Sequence, residues 1–283
     1  MKLENIPPLN ELDKFLSKDD EVILLKDAIN KIGKKDIDYF PIGFEVLDNA
    51  INGGVTDGQL IVISGRAGEG KTSWCQTLTY NFTKLALPCL WFSYEVDINN
   101  LWQKFERMGI DEDFLTYVPF KMTSGRLDWL EQKIKEGILK FDTKIIFIDH
   151  LGFLLPILND YDQEMNKNYS AYLGMICRQL KNIARNYNVI IFLCAHIRKT
   201  KEELSLEDLA NSAGIGQESD LVFMLERQRV KNKYQTSGDI FTNDTIIKIV
   251  KNRPTGQTKI IKCQMINEKF LPLTKIYDDQ RIS

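Results

Sequence analysis

Residues 60–79 read LIVISGRAGEGKTSWCQTLT, an apolar run that breaks into glycines and resumes with spacing compatible with a helix. Within it, residues 65–72, GRAGEGKT, fit the phosphate-loop pattern G-x-x-x-x-G-K-[ST]. The glycines let the backbone turn so that successive N–H groups point inward, and the following helix presents its N-terminus to the same anion. The pattern requires a strand before the loop and a helix after it, and we predict these over 60–64 and 73–86. The stretch is therefore predicted to bind a nucleoside triphosphate.

The loop supplies most of the predicted nucleotide contacts. Lys71 is expected to reach the β- and γ-phosphates, and the Thr72 hydroxyl is expected to hold Mg²⁺. The other predicted contacts are Gly65, Arg66, Ala67, Gly68, Glu69, Gly70 and Ser73. A glycine turn that only joins a strand to a helix is the alternative, and the flanking apolar segments disfavour it.

Composition limits the class of protein. The 283 residues, 43% hydrophobic and 27% charged, suffice for one large α/β domain with a small appendage. The formal net charge of −2 provides no positive field, so a nucleic acid would have to be held by local loops. No C-x-x-C pair occurs, which disfavours a zinc site or a disulfide framework and fits a reducing compartment. Without an apolar signal segment or a membrane-length apolar run, we expect a soluble cytoplasmic protein.

The N-terminal segment, residues 1–40, is charged and contains one predicted amphipathic helix. Its apolar stripe comprises Val22, Leu25, Ile29 and Ile32. The stripe can pack on its own domain or dock on a neighbouring subunit, and its spacing does not decide between the two. We predict a domain boundary at this point, with residues 41–283 forming the α/β domain.

An acidic residue stands at the carboxyl end of each of two predicted buried strands. Residues 89–94, CLWFSY, precede Glu95, and residues 144–149, KIIFID, end in Asp149. Ligands of open α/β sheets lie at the carboxyl ends of the strands, so both acids are expected to face the nucleotide. Glu95 is suited to orient and deprotonate water, and Asp149 to bind Mg²⁺ through water opposite Thr72. Glu95 could instead be a first-turn acid of the next helix, although Asp97 is the better candidate for the helix cap.

The chain has two histidines, His150 and His196, and each directly follows a predicted core strand. A histidine beside a γ-phosphate can sense it by hydrogen bonding, and we assign that role to His196, which follows strand 189–195, leaving His150 structural. A polar loop, residues 197–217, follows His196 and begins with Arg198, Lys199 and Lys201. These three cations either contact a phosphate backbone or are simply solvated.

The remaining strands are predicted from shorter patterns. Residues 221–226 and 245–250 are predicted strands with a polar, hairpin-like connection, and residues 262–266 are predicted to close the sheet. A short strand is also predicted over 118–122. The strand over 245–250 is followed by Lys251 and Arg253, which by themselves indicate no more than a basic strand end.

Six segments jointly resemble the ATPase domain of the replicative hexameric helicases of the DnaB type, especially bacteriophage primase-helicases and mitochondrial Twinkle. In order they are GRAGEGKT, WFSYEV, IIFIDH, FLCAHIRK, EDLANSAGIGQESD before LVFMLER, and KNRPTGQT. The resemblance runs from about Phe40 to the last strand. It implies a RecA-like P-loop NTPase core, an α/β fold with a mostly parallel central sheet flanked by helices, here with a short N-terminal helical extension. It also implies ATP-driven translocation on single-stranded DNA and unwinding of duplex at a replication fork.

The resemblance further implies roles for individual residues. Glu95 would be the catalytic base, Asp149 the magnesium-linked acid and His196 the phosphate sensor. Gln217 would link the nucleotide state to the loops that face DNA.

By the same resemblance Arg253 would be an arginine finger, with Lys251 beside it, both reaching the ATP of the next subunit. A cation supplied in trans stabilises charge on the transferring phosphate and couples hydrolysis to subunit contacts. The implied partners are ATP with Mg²⁺, single-stranded DNA, identical subunits in a ring of six, and a separate primase or helicase loader.

The chain departs from the family pattern in two ways. Ile266 stands where some phage relatives have an aromatic residue against the nucleotide base, so the base preference is undecided. We also expect a helicase module without an N-terminal primase or zinc-binding region. A RecA- or KaiC-like ATPase that binds DNA or protein without unwinding is the main alternative. A nucleotide-dependent scaffold or a phosphotransferase is the other, although Glu95 and Arg253 argue against an inert scaffold.

Overall fold

The structure is a computed structural model that describes residues 22–34, 36–111, 113–123, 126–154, 169–196, 213–230 and 240–273. The chain divides into two compact units, Met1–Ile37 and Asp38–Ser283. The first unit contains helix α1, Leu25–Ile32. The predicted stripe residues Leu25, Ile29 and Ile32 lie on this helix and are exposed. Whether this stripe packs on its own domain or docks on a neighbouring subunit stays a prediction.

The second unit is organised around one sheet, which among the described residues has the strand order β3-β2-β4-β5-β1-β6-β7-β8-β9. The strands are β1 Leu60–Gly65, β2 Cys89–Ser93, β3 Thr116–Tyr117, β4 Ile145–Asp149, β5 Ile190–His196, β6 Leu221–Val230, β7 Ile240–Asn252, β8 Ile260–Ile266 and β9 Lys269–Pro272. Strands β1 to β6 pair in parallel, whereas β7, β8 and β9 extend the sheet by antiparallel pairing. The mostly parallel α/β core predicted from the sequence is confirmed.

Helices cover both faces of the sheet. They are α2 Glu45–Ala50, α3 Lys71–Lys84, α4 Ile98–Arg107, α5 Leu127–Phe141, α6 Tyr169–Asn186 and α7 Ala213–Glu218, with a 3-10 turn at Leu151–Leu154. Every residue of β1, β2 and β4 is buried, because a parallel sheet between two helical layers exposes neither face. Trp74 of α3 anchors one core, with its ring 4.4 Å from that of Phe44, and Leu180 of α6 belongs to the other.

The predicted strand over 118–122 is wrong. The strand in this region is β3, which pairs with β2: Thr116 lies opposite Cys89, and Tyr117 lies opposite Leu90. Pro119 explains the displacement, because proline has no N–H to donate to a ladder and so ends the pairing. By contrast, the predicted cap of α4 is confirmed, since Asp97 accepts hydrogen bonds from the N–H groups of Asn99 (2.9 Å) and Asn100 (3.1 Å).

The prediction that residues 262–266 close the sheet is also wrong, because β9 pairs beyond β8. Asn267 and Glu268 connect the two strands with φ of 48° and 64°. Two consecutive positive φ values are typical of a tight type I′ hairpin turn, for which Asn-Gly is the usual sequence signal. Asn267-Glu268 has the asparagine of this signal but not the glycine, and β9 is only four residues long, so the sequence did not predict the hairpin.

A buried ion pair ties α6 to the amino ends of β1 and β6. Lys181 Nζ donates to Gly58 O at 2.7 Å and to the Asp220 carboxylate. The same carboxylate accepts from the Leu60 N–H at 2.8 Å. Burial lowers the pKa of Lys181, and the Asp220 charge opposes that shift. The pair therefore stabilises the sheet edge only while both charges are present.

We expect Lys181→Met to lower the free energy of unfolding by about 3 kcal/mol, because it removes the closest counter-ion of the buried Asp220 carboxylate and leaves only Arg253, at 3.5 Å. Urea unfolding followed by circular dichroism measures this change. Adding Asp220→Asn to Lys181→Met should restore part of the loss. Arg178→Met on the same helix is the matched control, because it breaks an exposed ion pair with Glu218 and should change stability far less. Equal losses in the two single variants would contradict the assignment.

Candidate nucleotide-binding site

Parallel pairing gathers the predicted site at one edge of the sheet. Gly65 lies beside His196 in the register of β1 with β5, and Ser93 lies beside Asp149 in that of β2 with β4. The carboxyl ends of these four strands, with the loop after β1, therefore face the same space. Glu95 enters it from the segment that follows β2. The sequence placed these residues at strand ends, and the register makes them neighbours.

The loop between β1 and α3 depends on two glycines. Gly68 and Gly70 have φ of 79° and 93°, values that side chains bearing a Cβ rarely adopt. A Cβ on Gly70 would also lie 3.0 Å from the Phe270 ring of β9. The backbone can therefore turn its N–H groups inward at the start of α3, where the helix dipole favours an anion.

Lys71 lies across the mouth of this loop. Its Nζ donates to Gly65 O at 3.1 Å and to Arg66 O at 2.9 Å, and the residue is 6% exposed. Burial lowers the pKa of Lys71, and the negative groups around it, including Asp149 and Glu95, oppose that shift. An ammonium has three donors, so one remains for an arriving phosphate oxygen.

Thr72 and Asp149 form a pair suited to Mg²⁺. The Thr72 hydroxyl donates to Asp149 Oδ2 at 2.7 Å, and Asp149 is 1% exposed. Asp149 Oδ1 is buried and has no hydrogen-bond partner among the described residues. Burial raises the pKa of this carboxyl, which the Thr72 hydroxyl partly opposes and the charge of Glu95 reinforces. A buried carboxylate oxygen beside a hydroxyl is an oxygen donor set that Mg²⁺ accepts, so these residues fit the predicted ion.

Glu95 and the two histidines form a cluster beside this pair. Glu95 Oε2 lies 3.3 Å from His150 Nδ1 and 3.9 Å from His196 Nε2. The Glu95 side chain is 46% exposed, so water has access to its carboxylate. Burial lowers the pKa of His196 to about 4, with the positive charge of Lys71 adding to the effect. The His196 imidazole is therefore neutral at neutral pH and can donate one hydrogen bond.

His150 has a larger part in this cluster than the structural role predicted for it from the sequence. Its Nδ1 approaches Glu95, and its ring centroid lies 4.4 Å from that of His196. The sequence signal that could have placed His150 in this cluster was its position directly after Asp149, the last residue of β4, because β4 lies next to β5 in the sheet. Adjacent parallel strands bring the residues that follow them together.

The Glu69 side chain is turned away from the nucleotide space. It is completely buried, and its Oε1 accepts from Arg229 Nη2 at 2.6 Å, while the carboxylate also accepts from the Arg227 N–H. Arg229 in turn lies 4.6 Å from the Phe241 ring centroid. Glu69 can therefore contact a nucleotide only through its backbone, whereas Arg66, Ala67, Gly68 and Ser73 are partly or fully exposed.

Lys251, Arg253 and Gln217 lie at the opposite edge of the sheet. Lys251 Nζ donates to Ser219 O at 2.7 Å and Gln217 O at 3.2 Å, and Arg253 Nη2 donates to Gln217 O at 2.7 Å. The Lys251 and Arg253 side chains thus donate hydrogen bonds to backbone carbonyl groups at the carboxyl end of α7, where the helix dipole favours positive charge. Arg253 N pairs with Asp220 O, and Asp220 N pairs with Leu60 O, the first residue of β1. The length of β1, about 17 Å at 3.3 Å per residue, separates this edge from the phosphate loop.

The predicted DNA contacts Arg198, Lys199 and Lys201 lie outside the described residues. Among the residues that are described, none of the helices combines the length and apolar character that a membrane span requires.

Comparison with known proteins identifies relatives. The family model of the DnaB-like helicase C terminal domain matches residues 40–112 and 120–270. A probable replicative DNA helicase of Trieres chinensis is 28% identical over 253 residues, covering 77% of this chain and 54% of its own length. The replicative DNA helicase DnaB of Mycoplasma genitalium is 25% identical over 279 residues, covering 85% and 58%. The DNA repair protein RadA of Aquifex aeolicus is 26% identical over 223 residues, covering 78% and 43%. The chain thus spans about half the length of these curated relatives.

Solved structures agree on the fold. One of them, an isolated ATPase domain, superposes with a TM-score of 0.69 at 18% identity, covering 89% of this chain and 100% of that one. A DnaB-like replicative helicase, described with its interactions with primase, superposes with a TM-score of 0.66 at 19% identity, covering 94% and 70%. Both confirm the RecA-like α/β architecture predicted from the sequence.

We expect the His196 imidazole to titrate near pH 4, because burial and Lys71 disfavour its charged form. Histidine-labelled protein measured by NMR tests this, and His196→Gln assigns the signal because the chain has only two histidines. The unfolded chain binds this proton near the ordinary pKa of 6.5, so the free energy of unfolding should be undiminished above pH 6.5 and fall towards pH 4. His196→Gln should flatten that fall. A His196 signal titrating at or above 6.5 would contradict the assignment.

Proposed function

The chain belongs to the DnaB-like helicase C-terminal domain family, and from this premise we propose that it is the ATP-hydrolysing motor of a replicative DNA helicase. The proposed unit is a six-membered ring that translocates on single-stranded DNA and unwinds duplex at a fork. One observation carries the proposal: the phosphate loop, the Thr72–Asp149 pair and the Glu95–His196 pair face one another at one sheet edge, while Arg253 lies at the other. This arrangement provides a hydrolytic site and a cation for a neighbouring site.

ATP binding is assigned to the loop between β1 and α3. Backbone N–H groups and the start of α3 hold the phosphates, and the Lys71 ammonium neutralises their charge. Thr72 and Asp149 would hold Mg²⁺, which when bound adds positive charge at the β- and γ-phosphates. The loop is already folded and its lysine already lies in the mouth, so little reorganisation precedes binding.

Hydrolysis is assigned to Glu95. Its carboxylate is accessible to water and lies within 3.9 Å of His196, so it can orient a water molecule and accept its proton. A neutral His196 can donate a hydrogen bond to a γ-phosphate oxygen without adding a full charge. His196 ends β5 directly before the basic segment with Arg198, Lys199 and Lys201, which we propose contacts single-stranded DNA.

A subunit cannot complete its own site with Arg253, which hydrogen-bonds to Gln217 at the far edge of the sheet. We assign Arg253 and Lys251 to the ATP of the next subunit, and we assign Gln217 to linking the nucleotide state to the loops that face DNA. A cation supplied from one face to a site on the other makes a head-to-tail contact, which closes into a ring or continues as a filament. The exposed stripe of α1 is proposed to dock on the neighbouring subunit.

Two further points complete the proposal. One structural neighbour is described with its interactions with primase, and we propose a separate primase or a helicase loader as a partner of this chain. The similarity to RadA supports the alternative of an ATPase that acts on DNA without unwinding it. Strand separation is therefore the property that discriminates between the two functions.

Wild-type protein should hydrolyse ATP faster with single-stranded DNA and unwind a forked duplex. Lys71→Ala should abolish ATP binding, because it removes phosphate neutralisation in the ground state, whereas Glu95→Gln should bind ATP and lose turnover by about 100-fold or more. Nucleotide titration, phosphate release and fork unwinding are the measurements. Unaltered turnover in Glu95→Gln would remove this residue from the base role, and DNA-stimulated hydrolysis without unwinding would favour the alternative.

Mixing two inactive variants tests the shared site. Arg253→Ala subunits retain Glu95, and Glu95→Gln subunits retain Arg253, so some interfaces of a mixed ring regain both groups. ATPase activity should therefore appear in the mixture and be nearly absent from each variant alone, and ATP should promote assembly because it bridges two chains. Titrating one variant into the other with DNA present measures this. Normal hydrolysis by Arg253→Ala alone would refute the finger and the ring-coupled mechanism.

A further inference from the structure

Glu95, His150 and His196 place three potential metal ligands in one small space. One carboxylate oxygen and one ring nitrogen from each histidine all lie within 4.8 Å of one another. Two of the separations are 3.3 Å, from Glu95 Oε2 to His150 Nδ1, and 3.9 Å, from the same oxygen to His196 Nε2. Asp149, the proposed Mg²⁺ residue, is not a member of this group.

The two separations from Glu95 are close to those of a tetrahedral metal site, and the two histidine nitrogens lie within 4.8 Å of each other. Zinc bonds of about 2.05 Å to nitrogen and oxygen put neighbouring ligand atoms about 3.3 Å apart. The Glu95 to His150 separation already has this value, and the Glu95 to His196 separation exceeds it by about 0.6 Å. The Glu95 side chain is 46% exposed and can make this adjustment without disturbing the core.

The His150 ring is held in place for such a role. Gly152 leaves room for the ring in this position, since a Cβ there would lie 2.7 Å from His150 Nε2, and Phe153 packs edge-on with its centroid 5.1 Å away. His150 Nδ1 is buried, and its approach to Glu95 lacks hydrogen-bond geometry, leaving it without a hydrogen-bond partner among the described residues. Buried polar atoms of native proteins nearly always have a partner, which points to a ligand at this nitrogen.

From this geometry we propose that Glu95, His150 and His196 bind a divalent transition-metal ion such as Zn²⁺. Two imidazoles and one carboxylate, with an open fourth position, form a donor set suited to zinc and poorly suited to Mg²⁺, which prefers oxygen ligands. The absence of a C-x-x-C pair disfavoured a zinc site in the sequence analysis, and the site proposed here differs from that expectation by using no thiolate ligand. The ion binds separately from the nucleotide magnesium.

The consequence for the proposed ATPase rests on the role assigned to Glu95. A carboxylate that coordinates a metal ion is no longer free to accept a proton from water. The phosphate loop and Lys71 are outside the cluster and keep their contacts. Bound Zn²⁺ therefore stops hydrolysis while ATP still binds.

The test titrates Zn²⁺ into the full chain without a histidine tag and without nucleotide, followed by calorimetry. We expect one ion per chain, with affinity reduced at least about 10-fold by His150→Ala and by His196→Ala. Co²⁺ in place of Zn²⁺ should give the intense visible absorption of a four- or five-coordinate ion, without a thiolate charge-transfer band. Asp111→Asn, which alters an exposed carboxylate paired with Lys84, is the matched control and should bind Zn²⁺ as the wild type does.

The outcomes separate the two proposals. No saturable Zn²⁺ binding by the wild type, a thiolate band with Co²⁺, or equal affinity in the histidine variants overturns the metal site. Circular dichroism confirms that each variant is folded, and the Co²⁺ spectrum of the wild type needs no variant. In the presence of excess Mg²⁺ and ATP, Zn²⁺ should lower turnover without abolishing ATP binding, because Lys71 and the phosphate loop stay in place. A chain that binds Zn²⁺ at the cluster but never hydrolyses ATP upholds the metal site and refutes the proposed function.

Discussion

Parallel pairing of β1 with β5, and of β2 with β4, is the constraint on which the rest of the molecule depends. Parallel strands cannot be joined by tight turns, so each connection crosses a face of the sheet, and here those crossings are helices. Helices on both faces bury the strands completely, which is why their sequences are almost wholly apolar. The polar side chains of the site are thereby placed where strands end: Asp149 ends β4, His196 ends β5, and Lys71 begins α3 after the loop that follows β1.

The two ends of the sheet have different electrostatic tasks. At the carboxyl ends, the Glu95 and Asp149 carboxylates lie near the Lys71 ammonium, in a space that remains open to solvent at Glu95. At the amino ends, Asp220 is shared by Lys181, the Leu60 N–H and Arg253, and it approaches the Arg253 guanidinium at 3.5 Å. The first arrangement can accept a phosphate and its metal. The second holds cations in place at the end of α7, where we propose that a neighbouring subunit uses them.

Glu69 shows how a phosphate loop can contain an acid without repelling its ligand. A buried, unpaired carboxylate beside the loop would oppose an anion and would be costly to desolvate. Arg229 and the Arg227 N–H satisfy this carboxylate from β6, and Arg229 also packs against Phe241 of β7. The loop is consequently joined to the antiparallel extension of the sheet. The Phe270 ring of β9, which lies close to Gly70, makes a second connection of this kind.

The sequence by itself determined the features that depend on local patterns. The glycine spacing of residues 65–72, the apolar runs that precede Glu95, Asp149 and His196, and the Asp97 cap each follow from backbone conformation or periodicity within a few residues. Strand pairing is a relation between distant segments, so only the tertiary structure placed His150 against Glu95 and put Arg253 a full strand length from the phosphate loop. Side-chain direction was equally inaccessible, because the ion pair that turns Glu69 inward joins residues 160 positions apart. Local periodicity specifies which residues end a strand, and long-range packing decides what they meet there.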